Sequence, residues 1–295
     1  MKTNPFYGVH TALVTPMLDG RVDYASMEQL IEHQITGGIQ GVVAVGTTGE
    51  SPTLTHKEHN QVIAETVRLV GGRVPVLAGT GSNATYEAVE LTGEADRAGA
   101  DGFLLVAPYY NKPSQEGLYL HFAAIAEVTA KPIVLYSIPS RCGIEIGATT
   151  MARLHERYPH IIGVKEAGGS CDRVSAIRQA AGEDFLILSG DDGLTLPFMT
   201  LGAKGVISVA SNWVVSDLVS MVSLALDNRF QEAGDINRRY QRLFRDLFLD
   251  PNPVPIKHTL HRAGLIASPE VRLPLAPISE ATRDILDSTL QQLGL

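Results

Sequence analysis

The sequence predicts a (β/α)8 TIM barrel followed by a C-terminal helical appendage. Eight short apolar runs bounded by Gly, Pro or Asn alternate with helical patterns, their starts lie about 20 to 35 residues apart, and the pattern stops after about residue 212. Runs that are apolar throughout, rather than at every second residue, mark parallel strands covered on both faces, and eight such units close a barrel.

The strand runs are 11–15, 41–46, 75–79, 102–107, 132–136, 161–165, 185–189 and 205–209. Between them, residues 26–37 set Met27, Leu30, Ile31 and Ile35 on one helical face, and residues 56–70 do the same with Val62, Ile63, Val67 and Val70. Ala-rich stretches at 84–98 and 120–130 fit the same scheme. Beyond the last strand, 214–226, 236–248 and 256–265 read as helices, with Pro251-Asn252-Pro253 as punctuation. The expected division is a barrel over residues 1–212 and a helical region over 213–295. A doubly wound open sheet competes with the barrel, but no GxGxxG turn follows the first strand. Thr80-Gly81-Ser82-Asn83 lacks the Walker lysine and reads as a turn and helix cap.

Composition narrows the function classes. With 295 residues, 44% of them hydrophobic, the chain can bury a sizeable core. Lys and Arg number 24 against 32 Asp and Glu, a net charge of -8, and no basic run is interleaved with aromatics, so nucleic acid is a poor partner. Met1 to Phe6 lack the apolar core of a signal peptide, and no stretch approaches the ~18 to 20 apolar residues of a membrane span. A soluble, cytoplasmic protein is expected. Cys142 and Cys171 are too few for a disulfide framework or a cysteine-rich metal site. His56-Lys57-Glu58-His59 has HxxH spacing, but without HExxH or a nearby thiolate no metal is expected.

The most informative residue is Lys165. It closes the run Ile161-Ile162-Gly163-Val164 at a strand exit, whereas Lys131 and Lys204 precede their runs and lie at strand entrances. In parallel α/β folds the exits gather on the face that carries catalysis. Desolvation there would favour a neutral amine able to attack a carbonyl; the alternative is a packed stem whose head meets a carboxylate such as Glu166. Other exits supply Gly46-Thr47-Thr48-Gly49-Glu50-Ser51, Pro108-Tyr109-Tyr110-Asn111-Lys112-Pro113, Tyr136-Ser137-Ile138-Pro139-Ser140-Arg141, Ser189-Gly190-Asp191-Asp192 and Gly205-Val206-Ile207. Arg141 suits a carboxylate or a surface ion pair. Asp191 and Asp192 suit a helix cap as well as a ligand.

Taken together and in order, these motifs, with Gly163 to Ala167 and Pro251-Asn252-Pro253, resemble the dihydrodipicolinate synthase (4-hydroxy-tetrahydrodipicolinate synthase) family from about residue 8 to the C-terminus. The resemblance implies a class I aldolase-type condensation of pyruvate with L-aspartate 4-semialdehyde, the first committed step towards diaminopimelate and lysine, with no organic cofactor. It implies that Lys165 forms the imine and that Thr47, Tyr110 and Tyr136 relay protons, with Tyr110 supplied across a dimer contact. Thr48 and Ile207 would hold pyruvate, and Arg141 the carboxylate of the semialdehyde. It also implies a homotetramer built as a dimer of dimers, and inhibition by L-lysine at a site matched by Ser51, His56, His59, Asn83, Glu87 and Tyr109. Ser137, Cys142, Pro52 and Ala167-Gly168-Gly169 depart from the family's common residues. A sibling aldolase acting on sugar keto-acids and a non-catalytic keto-acid-binding barrel are the alternatives.

Overall fold

The structure is a computed structural model that describes residues 5–294. Eight parallel strands close on themselves: β1 (Gly8–Ala12), β2 (Gly41–Ala44), β3 (Val76–Gly79), β4 (Gly102–Val106), β5 (Ile133–Ser137), β6 (Ile161–Glu166), β7 (Leu186–Ser189) and β8 (Gly205–Ser208). Each strand pairs with its sequence neighbours, and β1 pairs with both β2 and β8, which shuts the barrel and leaves no edge. Alternation sorts the side chains. Val43, Leu77, Leu104, Val134, Leu186, Leu188 and Ile207 fill the interior, while Val42, Val76, Phe103, Leu135, Val164 and Val206 face the surrounding helices.

The first strand starts three residues before the expected run, because its apolar signal is interrupted by two buried polar residues. Thr11 faces outward and donates to Gln34 Oε1 at 2.5 Å, on helix α1 (Tyr24–Thr36), while its hydroxyl also meets Ser211 Oγ at 2.8 Å. His10 faces inward, edge-on to the Phe6 ring with centroids 6.0 Å apart, and burial lowers its pKa to about 4, so it is neutral at physiological pH. Gly205 must be glycine: a Cβ there would lie 1.9 Å from the Gly8 carbonyl oxygen.

Helix α2 (His56–Val70) begins with a reciprocal capping box between Thr55 and Glu58 and stops at Gly71, whose φ is +59°. Helix α3 (Thr85–Arg97) has no side-chain cap; Ser82 instead accepts from the Ala84 amide at 3.2 Å. Helix α4 (Gln115–Ala126) begins and ends earlier than the expected 120–130, because Ser114 after Pro113 caps it by accepting from Gly117 N. Four helices continue the crossovers: α5 (Pro139–Cys142), α6 (Ala148–Arg157), α7 (Cys171–Ala181) and α8 (Thr195–Thr200).

After the barrel come α9 (Val215–Leu226), which packs on β1 and α8, then α10 (Phe230–Asp246), α11 (Val254–Arg262) and α12 (Glu280–Gln292). The last has no strong apolar stripe in sequence, because two of its four buried residues, Thr282 and Thr289, are polar. Thr289 donates to buried Asp246 at 2.6 Å and thereby ties α12 to α10. Among the described residues, no helix is long and apolar enough to cross a membrane.

Candidate active site

Lys165 faces the barrel interior because of a register shift. Ile133 pairs with Ile161 but Val134 pairs with Gly163, so Ile162 is an extra residue, and Tyr136 then aligns with Lys165. Without that bulge Val164 would stand opposite Tyr136 and the lysine would point at the helices. Lys165 is 6% exposed, with Nζ 4.2 Å from the centroid of the Tyr136 ring. It does not meet Glu166, which points outward, accepting from Gly168 N at 2.7 Å and Arg173 Nη2 at 3.1 Å. Burial pushes the Glu166 carboxyl pKa upward, and the Arg173 guanidinium opposes that shift. Among the described residues, Lys165 has no carboxylate partner.

A cavity of about 230 Å³ opens at the strand exits, lined among others by Thr47, Ser51, Tyr109, Tyr136 and Arg141. The hydroxyls of Thr47 and Tyr136 make no hydrogen bond among the described residues, and Arg141 makes no ion pair. These groups are therefore available to whatever enters. Lys165, Thr48 and Ile207 are not in that lining. Lys165 lies against the Tyr136 ring, Ile207 is an interior position on β8, and Thr48 is buried with its Oγ1 accepting from Asn252 Nδ2 at 2.9 Å. Tyr110 is 90% exposed and does not line the cavity of its own chain.

Backbone strain gathers around this mouth. Val45, Glu50, Tyr110 and Lys112 have φ values of +54°, +56°, +75° and +45°. Left-handed conformations at non-glycine residues each cost about 1–3 kcal/mol, and persist where surrounding contacts enforce them. Val45 is β-branched and lines the cavity, where such a conformation is least expected.

One side of the rim carries a polar cluster. His56 Nε2 lies 2.6 Å from Glu87 Oε1, and Ser82 donates to the other Glu87 oxygen. Asn83 Nδ2 donates to the Tyr109 carbonyl at 3.2 Å, and Asn111 donates to the Asn83 carbonyl at 2.9 Å. His59 is buried one turn along from exposed His56, with Nε2 3.0 Å from the Gly79 carbonyl, and burial lowers its pKa. The two histidines thus point to different partners. No group of three or more His, Cys, Asp or Glu side chains is placed to hold a metal ion among the described residues.

At the β7 exit both aspartates bind backbone. Asp191 accepts from Gly193 N and Leu194 N, and Asp192 accepts from Val209 N and Ala210 N. Cys142, beside Arg141, donates its thiol to the Ala107 carbonyl at 3.2 Å, and burial raises its pKa to about 11. Ser137 is fully buried and accepts from Ile146 N at 3.3 Å. The two departures near Arg141 therefore support the loop that carries it.

Over residues 5–293 the sequence matches the Dihydrodipicolinate synthetase family. The chain belongs to that family. A 4-hydroxy-tetrahydrodipicolinate synthase from Persephonella marina is 49% identical over 290 residues, 98% of this chain and 99% of the relative. Two solved structures superpose closely. The chloride-inhibited dihydrodipicolinate synthase from Acinetobacter baumannii, complexed with pyruvate, has a TM-score of 0.95 at 44% identity, covering 98% of this chain and 99% of that one. DHDPS from Cyanidioschyzon merolae with lysine bound has a TM-score of 0.96 at 41% identity, covering 99% and 100%.

The residues missed in sequence are those that hold the family's Gly46–Ser51 segment in place. Glu50 pairs with Lys257 where neither side chain is exposed, and its second oxygen accepts from Arg272 N at 3.0 Å. The signal lay in Val254-Pro255-Ile256-Lys257, a lysine closing an apolar stretch after Pro251-Asn252-Pro253. Nothing in that stretch names a partner 207 residues away.

Proposed function

We propose that the protein condenses pyruvate with L-aspartate 4-semialdehyde through a Schiff base at Lys165, giving 4-hydroxy-tetrahydrodipicolinate in diaminopimelate and lysine biosynthesis. The carrying observation is a buried amine at a barrel strand exit, with no carboxylate partner among the described residues, packed on the ring of Tyr136. Family membership and the near-full-length match to named synthases support the same reading.

The Lys165 amine attacks the pyruvate ketone, and loss of water leaves an imine. The imine draws electrons from the methyl group, a proton leaves, and an enamine forms without a metal or cofactor. The enamine carbon bonds to the aldehyde of the second substrate, whose oxygen takes a proton. The substrate's own amine then attacks the imine carbon, closing the ring and expelling Lys165. Tyr136 and Thr47 carry protons between these steps, a role suited to cavity hydroxyls with no hydrogen-bond partner among the described residues. Tyr110, exposed and outside its own cavity, completes the relay from a second copy of the chain. Thr48 and Ile207 hold pyruvate, and Arg141, which has no ion pair among the described residues, takes the semialdehyde carboxylate as a bidentate partner.

A shared Tyr110 calls for a dimer, and the resemblance to the family extends this to a homotetramer of two dimers. We place it in the cytoplasm, where unpaired Cys142 and Cys171 stay reduced. The barrel over residues 1–212 carries the chemistry and the helical region over 213–295 supports it. With both substrates, aldehyde-dependent disappearance of pyruvate is the expected result. A pyruvate imine trapped by borohydride with no turnover of the semialdehyde would instead assign a different acceptor.

The rim cluster around His56, His59, Glu87, Asn83, Ser51 and Tyr109 is the L-lysine site in this reading. Millimolar L-lysine is expected to slow turnover. Removing one charge-assisted partner costs about 1.5–3 kcal/mol, so Glu87→Ala should raise the half-inhibiting lysine concentration roughly tenfold or more. Inhibition curves that superpose for the two proteins would remove the cluster from that role.

A further inference from the structure

The segment that carries Thr47 and Thr48 is gripped by residues far away in the chain. Glu50 turns it, in a left-handed conformation, and its carboxylate is buried. One oxygen meets the Lys257 ammonium and the other the Arg272 backbone amide. Lys257 also donates to the Glu270 carbonyl at 2.8 Å, and the Arg272 guanidinium donates to the Thr53 carbonyl at 2.9 Å. Two residues before Glu50, the Thr48 hydroxyl accepts from Asn252. The partners of Thr48 and of the Glu50 carboxylate, Asn252, Lys257 and Arg272, all come from the chain after the barrel's last strand, while Thr15 beside β1 donates to the Gly49 carbonyl at 2.7 Å.

Burying a carboxylate and an ammonium together is a poor way to gain stability, since desolvation cancels much of their attraction and apolar packing would serve as well. What a buried pair provides is one defined geometry, because each charge loses heavily by leaving the other. We propose that Asn252 and the Glu50–Lys257 pair form a clamp by which the C-terminal region sets the positions of Thr47 and Thr48 for pyruvate. All three are positioning residues: Asn252 reaches the site through the Thr48 hydroxyl, and the Glu50 and Lys257 side chains meet each other, the Arg272 amide and the Glu270 carbonyl. The clamp's role in pyruvate binding rests on the reading of Thr47 and Thr48 given above.

The test is the double variant Glu50→Gln, Lys257→Met, which removes both charges together and leaves neither unpaired. In the full-length enzyme, amide hydrogen exchange over residues 46–51 should quicken about tenfold or more while β3 amides keep their rates. The apparent KM for pyruvate should rise about tenfold or more, with imine still trapped at saturating pyruvate. A clamp that is merely structural lowers Tm and leaves KM and kcat at wild-type values, which would overturn the proposal, as would unchanged exchange over residues 46–51. If the double variant does not fold, Asn252→Ala, which keeps the ion pair, is judged by the same two readouts. A wild type that traps no pyruvate imine would refute the reading of the site; the exchange measurement then decides the clamp by itself.

Discussion

Replacing Lys165 with alanine is expected to lower turnover at least about a thousandfold, roughly 4 kcal/mol in the barrier, and to abolish borohydride-dependent labelling by pyruvate. The imine and enamine exist only as adducts of that nitrogen, so no neighbouring residue can supply part of the effect. Lys165→Arg should be equally inactive. It keeps a cation beside the Tyr136 ring but cannot form the imine, which separates nucleophilic chemistry from electrostatic attraction of the substrate. Both variants should retain the barrel, because Lys165 pairs with no carboxylate among the described residues and its removal leaves no buried charge unmatched. Mass spectrometry after pyruvate and borohydride reads the outcome directly. An adduct on another lysine, or measurable turnover in Lys165→Ala, would refute the assignment.

The position of Lys165 was legible for a topological reason. In parallel strands the order of apolar run and charge tells entrance from exit, and the structure separates the lysines on that basis. Lys131, at an entrance, pairs with Asp96 at 2.8 Å, a structural role that needs no chemistry. The barrel itself was legible because strands covered on both faces are apolar throughout, and this fails only where a polar residue is buried. His10 and Thr11 hid the start of β1, and Thr282 and Thr289 hid α12. Two further features were beyond reach. The inward aim of Lys165 depends on the bulge at Ile162, one residue of the four-residue run Ile161-Ile162-Gly163-Val164, and local composition carries no trace of register. The Glu50–Lys257 pair is a contact between distant segments, each of which reads alone as an ordinary turn or helix. Function was more legible than its support: reactive side chains sit in recognisable motifs at strand exits, and what holds them there is tertiary.

Tyr136→Phe should separate the steps of the reaction from one another. It keeps the ring on which Lys165 Nζ rests, at 4.2 Å from the centroid, and deletes only the hydroxyl. That hydroxyl has no hydrogen-bond partner among the described residues, so its loss leaves no buried group unsatisfied and the melting temperature should hardly move. The expected loss in kcat is about 10² to 10⁴, the range for removing a general acid–base group. Imine formation should slow as well, yet reach completion when pyruvate is given long enough, because the nucleophile remains. Slow but complete trapping together with a depressed kcat would mark Tyr136 as the proton carrier. A variant with unimpaired kcat would show that the phenol only shapes the cavity, and the relay would have to be sought at Thr47 and at the exposed Tyr110 of a second chain.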